Sequence, residues 1–435
     1  MYAALKGKSC IVLIKDKLYN EIILAVALEL KIPYQNISCT MFSVLVSCGT
    51  YDGSVFTLEY LHDTIDIAGP KLLKPLFIDP TAHPSPVTTV ATKDDVVISG
   101  SSDEIIQVFS VHTKTRVGAL EMHVGTIRQL KFITESHDST YCHFFSAGDD
   151  GCIGIWRCET PGGKLTKCPH PSAWECIRQI RRHKGSVQSI AVHPSNRCLF
   201  SISADKTFRV WNLLRGRQAY AVRLKNLANE ANKISMSPTG NRLLFIWPNK
   251  FEMIDLVSES QTSPDTIKNE AFILGSVQFS NPPTSDPTFF SEDDELCNQK
   301  SPDPLFAYVM VGIDASLTLI KFNVRNNASE SWTPKITSKV VLPGKRIKFI
   351  QVLHWPSHVE EKEPMCSGRS RLVVVVTTEA DGSHVRGYAV NLNSTDILEP
   401  GRSFIPLFTY DIPSARITAL AATWTSTSSM HHSEV

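Results

Sequence analysis

One spacing recurs three times along this chain: a Ser, an Asp four positions later, and a bulky aromatic six positions after that. The three sets are Ser99-Asp103-Phe109, Ser146-Asp150-Trp156 and Ser201-Asp205-Trp211. Ahead of each stands a His followed four residues on by a β-branched residue: His83 and Val87, His123 and Ile127, His183 and Val187. A spacing held across successive windows specifies a repeat architecture, in which each unit buries its apolar face only by stacking on its neighbours.

Each window reads as strands separated by turns, most clearly from His183 to Leu213. Val187, Ile190, Val192, Leu199, Phe208 and Val210 follow strand periodicity, not helical periodicity. Ala204-Asp205-Lys206-Thr207 carries hairpin-turn chemistry, and His193-Pro194-Ser195-Asn196 marks another bend. One window is therefore one antiparallel sheet.

The polar members of each window have a structural use. A His ahead of the first strand is placed to donate to the turn Asp, while that Asp accepts from backbone N–H groups. The Ser hydroxyl and the indole N–H extend the chain of bonds, and such a buried network rigidifies only when every member is paired. Phe109 replaces Trp in the first window, so that network is predicted to be one bond shorter. Ser, His and Asp also invite comparison with an acyl-transfer triad. A triad is a unique geometric arrangement, however, and does not recur at one spacing in several places. The pattern is similar to that of WD repeats, with Trp156-Arg157 and Trp211-Asn212 where the naming Trp-Asp pair would stand.

Beyond Leu213 the quartets fade but strand rhythm persists. Gln218 to Leu224 reads as an outer strand; Ala231–Met236, Arg242–Trp247 and Phe251–Leu256 supply a further sheet. Phe272–Phe279, Leu305–Val311 and Leu317–Phe322 supply another, and Arg346–Leu353, Arg371–Thr377 and Val385–Val390 one more. Val373 to Val376 is apolar enough for a strand buried on both faces. Ala415–Trp424 resembles only a first strand, and Phe42–Tyr60 only a second and third, so the two together make one composite unit. The expected fold is all-β: a seven-bladed WD-repeat β-propeller closed by strands from both termini. Its expected domains are an N-terminal extension at 1–41, the propeller at 42–425 with an inserted loop at 281–304, and a short tail at 426–435.

The 435 residues suit such a ring as a single unit, and the net charge of +1 excludes both a polybasic nucleic-acid binder and an acidic disordered chain. The 11 cysteines include no CxxC pair. The Cys152, Cys158, Cys168, Cys176 group lacks the close paired spacing of zinc ligands, which leaves reduced buried thiols, no metal and no cofactor. Cys10 to Ile32 is interrupted by Lys15, Asp16, Lys17, Glu21 and Glu29, so neither a membrane span nor a signal peptide is expected. Within it, Leu18, Ile22, Ala25 and Leu28 fit one amphipathic turn series. Pro161-Gly162-Gly163-Lys164 lacks the spacing of a phosphate-cradling loop. No constellation supports catalysis, and no enzyme is expected.

Long insertions fall almost entirely on one rim of the expected ring, at Thr134–Thr140, Cys158–Ser172, Asn281–Pro304, Arg325–Trp332 and Pro356–Arg369. The other rim, built of tight hairpins, is left compact and suited to docking. Leading into it are Arg178, Arg181, Arg182, His183 and Lys184, of which Arg178, Arg181, Arg182 and Lys184 are the candidate partner contacts. Glu292 to Glu295 places an acidic tip in an insertion.

Specific phrases carry a narrower resemblance. Ile98-Ser99-Gly100-Ser101, Gly118-Ala119-Leu120, Ser146-Ala147-Gly148-Asp149-Asp150-Gly151, Trp174-Glu175-Cys176-Ile177, Asp205-Lys206-Thr207, Trp211-Asn212-Leu213 and the closing Ala415 to Leu420 resemble the p21-activated protein kinase-interacting protein family. The resemblance implies a noncatalytic WD-repeat scaffold of the nucleus and nucleolus. Its implied role lies in 60S ribosomal subunit biogenesis and rRNA maturation, docking pre-60S ribosomal proteins, assembly factors or rRNA. It also implies an alternative, negative regulation of p21-activated kinase signalling by binding the kinase regulatory region. No membrane partner is implied. Family members commonly carry a long Lys-rich C-terminal tail, whereas this chain ends in Ser-, Thr- and His-rich residues at Val435.

Overall fold

Short apolar runs broken by Asp-, Asn- and Gly-bearing turns build antiparallel meanders throughout the chain. The computed structural model describes residues 3–6, 9–12, 42–62, 71–133, 141–159, 173–224, 233–236, 240, 242–246, 251–256, 279–280, 306–313, 316–323, 334–344, 346–354, 370–379, 382–391, 404–413 and 415–426. The insertion at 281–304 and the Leu18 to Leu28 turn series lie outside the described residues.

In chain order, sheet A comprises Val87–Lys93, Val96–Ser101, Ile105–Ser110 and Thr115–Glu121. Sheet B comprises Ile127–Phe132, Tyr141–Gly148, Cys152–Glu159 and Glu175–Arg181; sheet C comprises Val187–Val192, Cys198–Ser203, Thr207–Asn212 and Arg217–Arg223. Sheet D has three described strands, Lys233–Met236, Arg242–Ile246 and Phe251–Asp255. Sheet E runs through Phe279–Ser280, Phe306–Ile313, Ser316–Asn323 and Pro334–Val341. Sheet F runs through Arg346–His354, Ser370–Thr378, Gly382–Asn391 and Phe404–Pro413. Sheet G joins Ile417–Ser426 to Phe42–Thr50, Val55–His62 and Lys74–Asp79. Repeated four-stranded antiparallel meanders of this kind are consistent with a β-propeller. A separate hairpin pairs Ala3–Lys6 with Ser9–Val12.

The apolar cores lie between sheets, as a repeat fold requires. Leu45, Val55, Val87, Val97 and Phe109 fill the space between G and A, and Ile98, Leu130, Phe144 and Trp156 that between A and B. Val373 to Val376 is buried throughout and serves two cores at once, Val374 and Val376 facing G while Val373 and Val375 pack with Leu317 of E.

First strands of consecutive sheets lie side by side, and a repeated side-chain device joins them. Thr89 Oγ1 accepts from the Leu130 N–H at 3.1 Å, Gln129 Oε1 from Ile190 N–H at 2.7 Å, and Ser189 Oγ from Ile234 N–H at 3.1 Å. Gln351 Oε1 accepts from Ala422 N–H at 2.8 Å between F and G. Each bond satisfies a backbone donor that the meander leaves free on its innermost edge.

Two features were not anticipated. The outer strands Pro334–Val341 and Phe404–Pro413 have no regular apolar alternation in sequence, whereas Arg217–Arg223, exposed at every position, matches the outer strand expected at Gln218 to Leu224. Lys71–Leu72 pairs in parallel with Phe404–Pro413, so the chain of sheet G touches sheet F on its way to its own outer strand.

Candidate functional site

The structure brings each quartet together across the first three sheets. In C, Trp211 Nε1–H donates to Ser201 Oγ at 2.8 Å, Ser201 Oγ lies 2.8 Å from His183 Nε2, and His183 Nδ1 lies 3.1 Å from Asp205 Oδ2. In B the same links measure 3.0 Å for Trp156–Ser146, 2.7 Å for Ser146–His123 and 3.0 Å for His123–Asp150. In A, His83 lies 2.7 Å from both Ser99 and Asp103, and Phe109, fully buried, ends the chain without an indole bond.

Chemistry assigns the protons. Indole N–H to Ser oxygen, Ser O–H to His Nε2, and His Nδ1–H to carboxylate satisfies every group with a neutral imidazole. Burial holds His83 and His183 below the ordinary imidazole range, against the opposing pull of Asp103 and Asp205. Burial works against ionisation of Asp205, yet Thr207 Oγ1–H, Lys184 N–H and His183 together bring its carboxyl down to about 2. Asp150 is lowered in the same way, burial being outweighed by His123 and the N–H groups of Cys152 and Val124.

The connectivity Ser–His–Asp is that of an acyl-transfer triad, three times over. Ser99, Ser146 and Ser201 are each fully buried, and in B and C the hydroxyl oxygen is also occupied by an indole. No substrate carbonyl can approach them. The quartet instead holds a turn: Asp205 accepts the Lys184 N–H at 2.9 Å and the Thr207 N–H at 2.9 Å, pinning the loop before one strand to the hairpin of another. Trp211→Phe recreates the shorter network of sheet A. The expected loss is about 0.5–1.5 kcal/mol, one net hydrogen bond, since Ser201 keeps His183; urea denaturation checks it.

The residue after each turn Asp is left-handed: Gly53 at φ 88°, Glu104 at 74°, Gly151 at 70° and Lys206 at 63°. At Gly151 a Cβ would also meet the His183 carbonyl oxygen at 2.8 Å, so two loops close on one another only because the side chain is missing.

Several rim residues escaped the sequence reading. Asp149 stands beside the network Asp150, takes Arg128 in a fork at 2.6 and 2.8 Å, and also accepts from Ser186 of the loop entering sheet C. The Asp149-Asp150 pair therefore divides its work, one carboxylate for its own sheet and one for the next. In F, where Pro343 stands at the His position and Val375 at the Ser position, Arg386 of the third strand ties the turn instead, donating to Thr377 Oγ1 and to the Pro343 carbonyl at 2.9 Å. In G, Cys48 and Leu58, both fully buried, occupy the Ser and Trp places relative to Asp52, turning that network apolar. Burial pushes the Cys152 and Cys158 thiols up to about 11, and Cys48 up as well, so none is a reactive thiolate at neutral pH.

The four candidate contacts do not form one patch. Arg181, Arg182 and Lys184 are exposed where the chain enters the compact rim, with Arg181 donating to Gln179 Oε1. Arg178 turns the other way and donates to the Gly216 carbonyl, in a turn between third and fourth strands on the opposite rim. Two geometric facts separate them: Arg178 lies three residues back along the strand from Arg181, which ends it, and an odd separation sends the two side chains to opposite faces of the sheet. His183, buried and neutral, adds no charge to the patch.

The WD domain, G-beta repeat family matches residues 174–212, from the outer strand of B through the third strand of C. A "p21-activated protein kinase-interacting protein 1-like" of Gallus gallus is 34% identical over 198 residues, covering 46% of this chain and 47% of that protein. The Homo sapiens "p21-activated protein kinase-interacting protein 1" is 35% identical, covering 46% and 44%. "Protein MAK11" of Saccharomyces cerevisiae is 27% identical over 33% of this chain and 34% of its own. The matches span about half the length of the two kinase-interacting relatives and about a third of the yeast protein. A protein whose sheets carry buried His-Ser-Asp networks and a WD40 repeat, and which shares a third of its residues with these proteins over nearly half its length, is a relative of the p21-activated protein kinase-interacting proteins.

Proposed function

We propose that the seven sheets A to G are the blades of one closed propeller spanning residues 42–425, and that it serves as a noncatalytic scaffold in large ribosomal subunit biogenesis. Pairing of Ile417–Ser426 with Phe42–Thr50 supports closure through the two ends of the domain. The docking face is the compact rim of sheets B and C, where Arg181, Arg182 and Lys184 meet phosphates of rRNA or acidic surfaces of pre-60S proteins and assembly factors. One observation carries the assignment: three exposed cations sit at the end of a strand, Arg181, and on the loop after it, Arg182 and Lys184, which the Lys184 N–H to Asp205 bond anchors, so they are presented on a fixed backbone. Rigid presentation avoids the ordering cost that a mobile basic loop pays on binding. The corresponding location is the nucleus and nucleolus, as the family resemblance implies.

Affinity-tagged protein is expected to co-sediment with pre-60S particles. Charge reversal at Arg181, Arg182 and Lys184 should cut the bound fraction at least tenfold without changing Tm, and Arg178→Glu should leave it intact. Sedimentation of the wild-type protein only as a free species would overturn the ribosomal reading. The names of the relatives favour a second reading, since besides the p21-activated kinase-interacting proteins they include "Shk1 kinase-binding protein 15" of Schizosaccharomyces pombe, 28% identical over 39% of this chain. In that case the partner is the regulatory region of a p21-activated kinase, and the wild-type protein lowers phosphotransfer in a reconstituted assay.

A further inference from the structure

First strands of sheets A, B, C, D, F and G surround a lumen of about 560 Å³. Volumes in this range hold small ligands in other folds. Lys93, Arg128, Lys131 and Lys233 line it, and no carboxylate does among the described residues. Two of these cations are already occupied: Arg128 by the Asp149 fork, and Lys93 by donation to the Ile133 carbonyl at 3.1 Å. Lys131 and Lys233 are left, with no hydrogen bond or ion pair to a described residue, and Lys131 is exposed to the lumen itself.

The repeat makes this placement unusual. Thr89, Gln129 and Ser189 each supply an acceptor oxygen to the next first strand, and Lys233 occupies the same position in sheet D, one residue before the Ile234 N–H. An ammonium has no lone pair to offer and cannot continue the stitch. A third group points to the same need: Thr92 Oγ1, also in the lining, is buried without a hydrogen-bond partner among the described residues. Burial first, and then the neighbouring charge of Lys131, pull Lys233 down to about 8, as expected for two cations facing each other without a counterion.

We propose that the lumen is a binding site for a small polyanion of the phosphate class, held by the ammonium groups of Lys131 and Lys233. Lysine binds phosphate as a point charge and needs no planar fork, which suits two flexible stems converging from different sheets. Gln351 spends both its carbonyl oxygen and its amide N–H on Ala422, leaving the ammonium pair as the charged groups that hold the anion. The site is independent of what docks on the rim.

Calorimetric titration of pyrophosphate into the full-length protein at low salt tests the assignment. Binding is expected for the wild type, with affinity reduced more than tenfold in Lys131→Gln and again in the Lys131→Gln/Lys233→Gln double variant. Ligand-free Tm of both variants should equal or exceed that of wild type, because each removes a like-charge contact; this shows that loss of binding is not loss of fold. Equal affinity of wild type and double variant, or no heat for the wild type at millimolar pyrophosphate, would overturn the site. Citrate binding as tightly as pyrophosphate would overturn the phosphate assignment.

Discussion

Removal of residues 415–435 is expected to abolish cooperative unfolding altogether. Ile417–Ser426 is the first strand of sheet G and pairs with Phe42–Thr50 from Phe42↔Ser426 to Thr50↔Ile417. Without it the backbone of Phe42–Thr50 becomes an unpaired edge, and Val44, Val46 and Cys48 lose the cover of Ile417 and Ala422. Gln351 in sheet F simultaneously loses both of its bonds to Ala422, the N–H donor and the carbonyl acceptor. Burial lost on two sheet interfaces, together with a whole ladder, exceeds the about 5–15 kcal/mol that typically separates folded from unfolded chains. Circular dichroism melts should show a broad, low-amplitude slope, and a synthetic peptide covering residues 415–426 supplied in trans should restore a transition. A truncated protein that melts like the intact one would refute closure through this strand.

Legibility in the sequence followed the distribution of unusual chemistry. His183, Ser201, Asp205 and Trp211 are rare residue types at fixed spacing, and a buried polar chain tolerates no substitution that leaves a partner unpaired, so the signal is sharp. Their counterparts in F and G solve the same problem with other residues, Arg386 reaching Pro343 in one and Cys48 with Leu58 in the other, and those leave no spacing to recognise. Central strands were also legible, because burial on both faces demands runs such as Val373 to Val376. Outer strands were less so: Phe404–Pro413 mixes buried and exposed positions without a clean period, whereas Arg217–Arg223, though exposed along its length, is marked in the sequence at Gln218 to Leu224.

The basic run shows a different limit. Linear proximity grouped Arg178, Arg181, Arg182, His183 and Lys184, but pleating sends Arg178 to the far side, and the network claims His183. What the rim presents is decided by which residues the scaffold leaves over. Arg128 illustrates the same rule from the other direction, being a cation spent on holding Asp149 and through it Ser186.

Asp205→Ala is expected to destabilise the protein by about 1–3 kcal/mol at neutral pH, through donors left unpaired rather than through lost packing. The carboxylate serves Lys184 N–H, Thr207 N–H, Thr207 Oγ1–H and His183, and alanine offers none of them an acceptor. The same bonds appear as linkage: a carboxyl at about 2 in the fold, against 3.8 as the reference value, corresponds to about 2 kcal/mol of stability in the ionised state. Because the folded value is the lower one, this stability is fully present above about pH 4 and is lost as pH falls toward 2. His183 acts with the same sign at higher pH. Its native form is neutral and its pKa lowered by burial, so its share is complete above 6.5 and declines on acidification. Urea titrations of wild type and variant at pH 7, 4.5 and 3 separate the two effects. The gap between the proteins should hold from pH 7 to 4.5, apart from the small imidazole contribution, and narrow at pH 3 as the wild-type carboxylate begins to take up its proton. Asp205→Asn should fall between, since it keeps one acceptor oxygen but not the charge. A gap that is absent at pH 7 would mean that Asp205 is solvated rather than built into the turn, and the rigid presentation of Lys184 would fall with it.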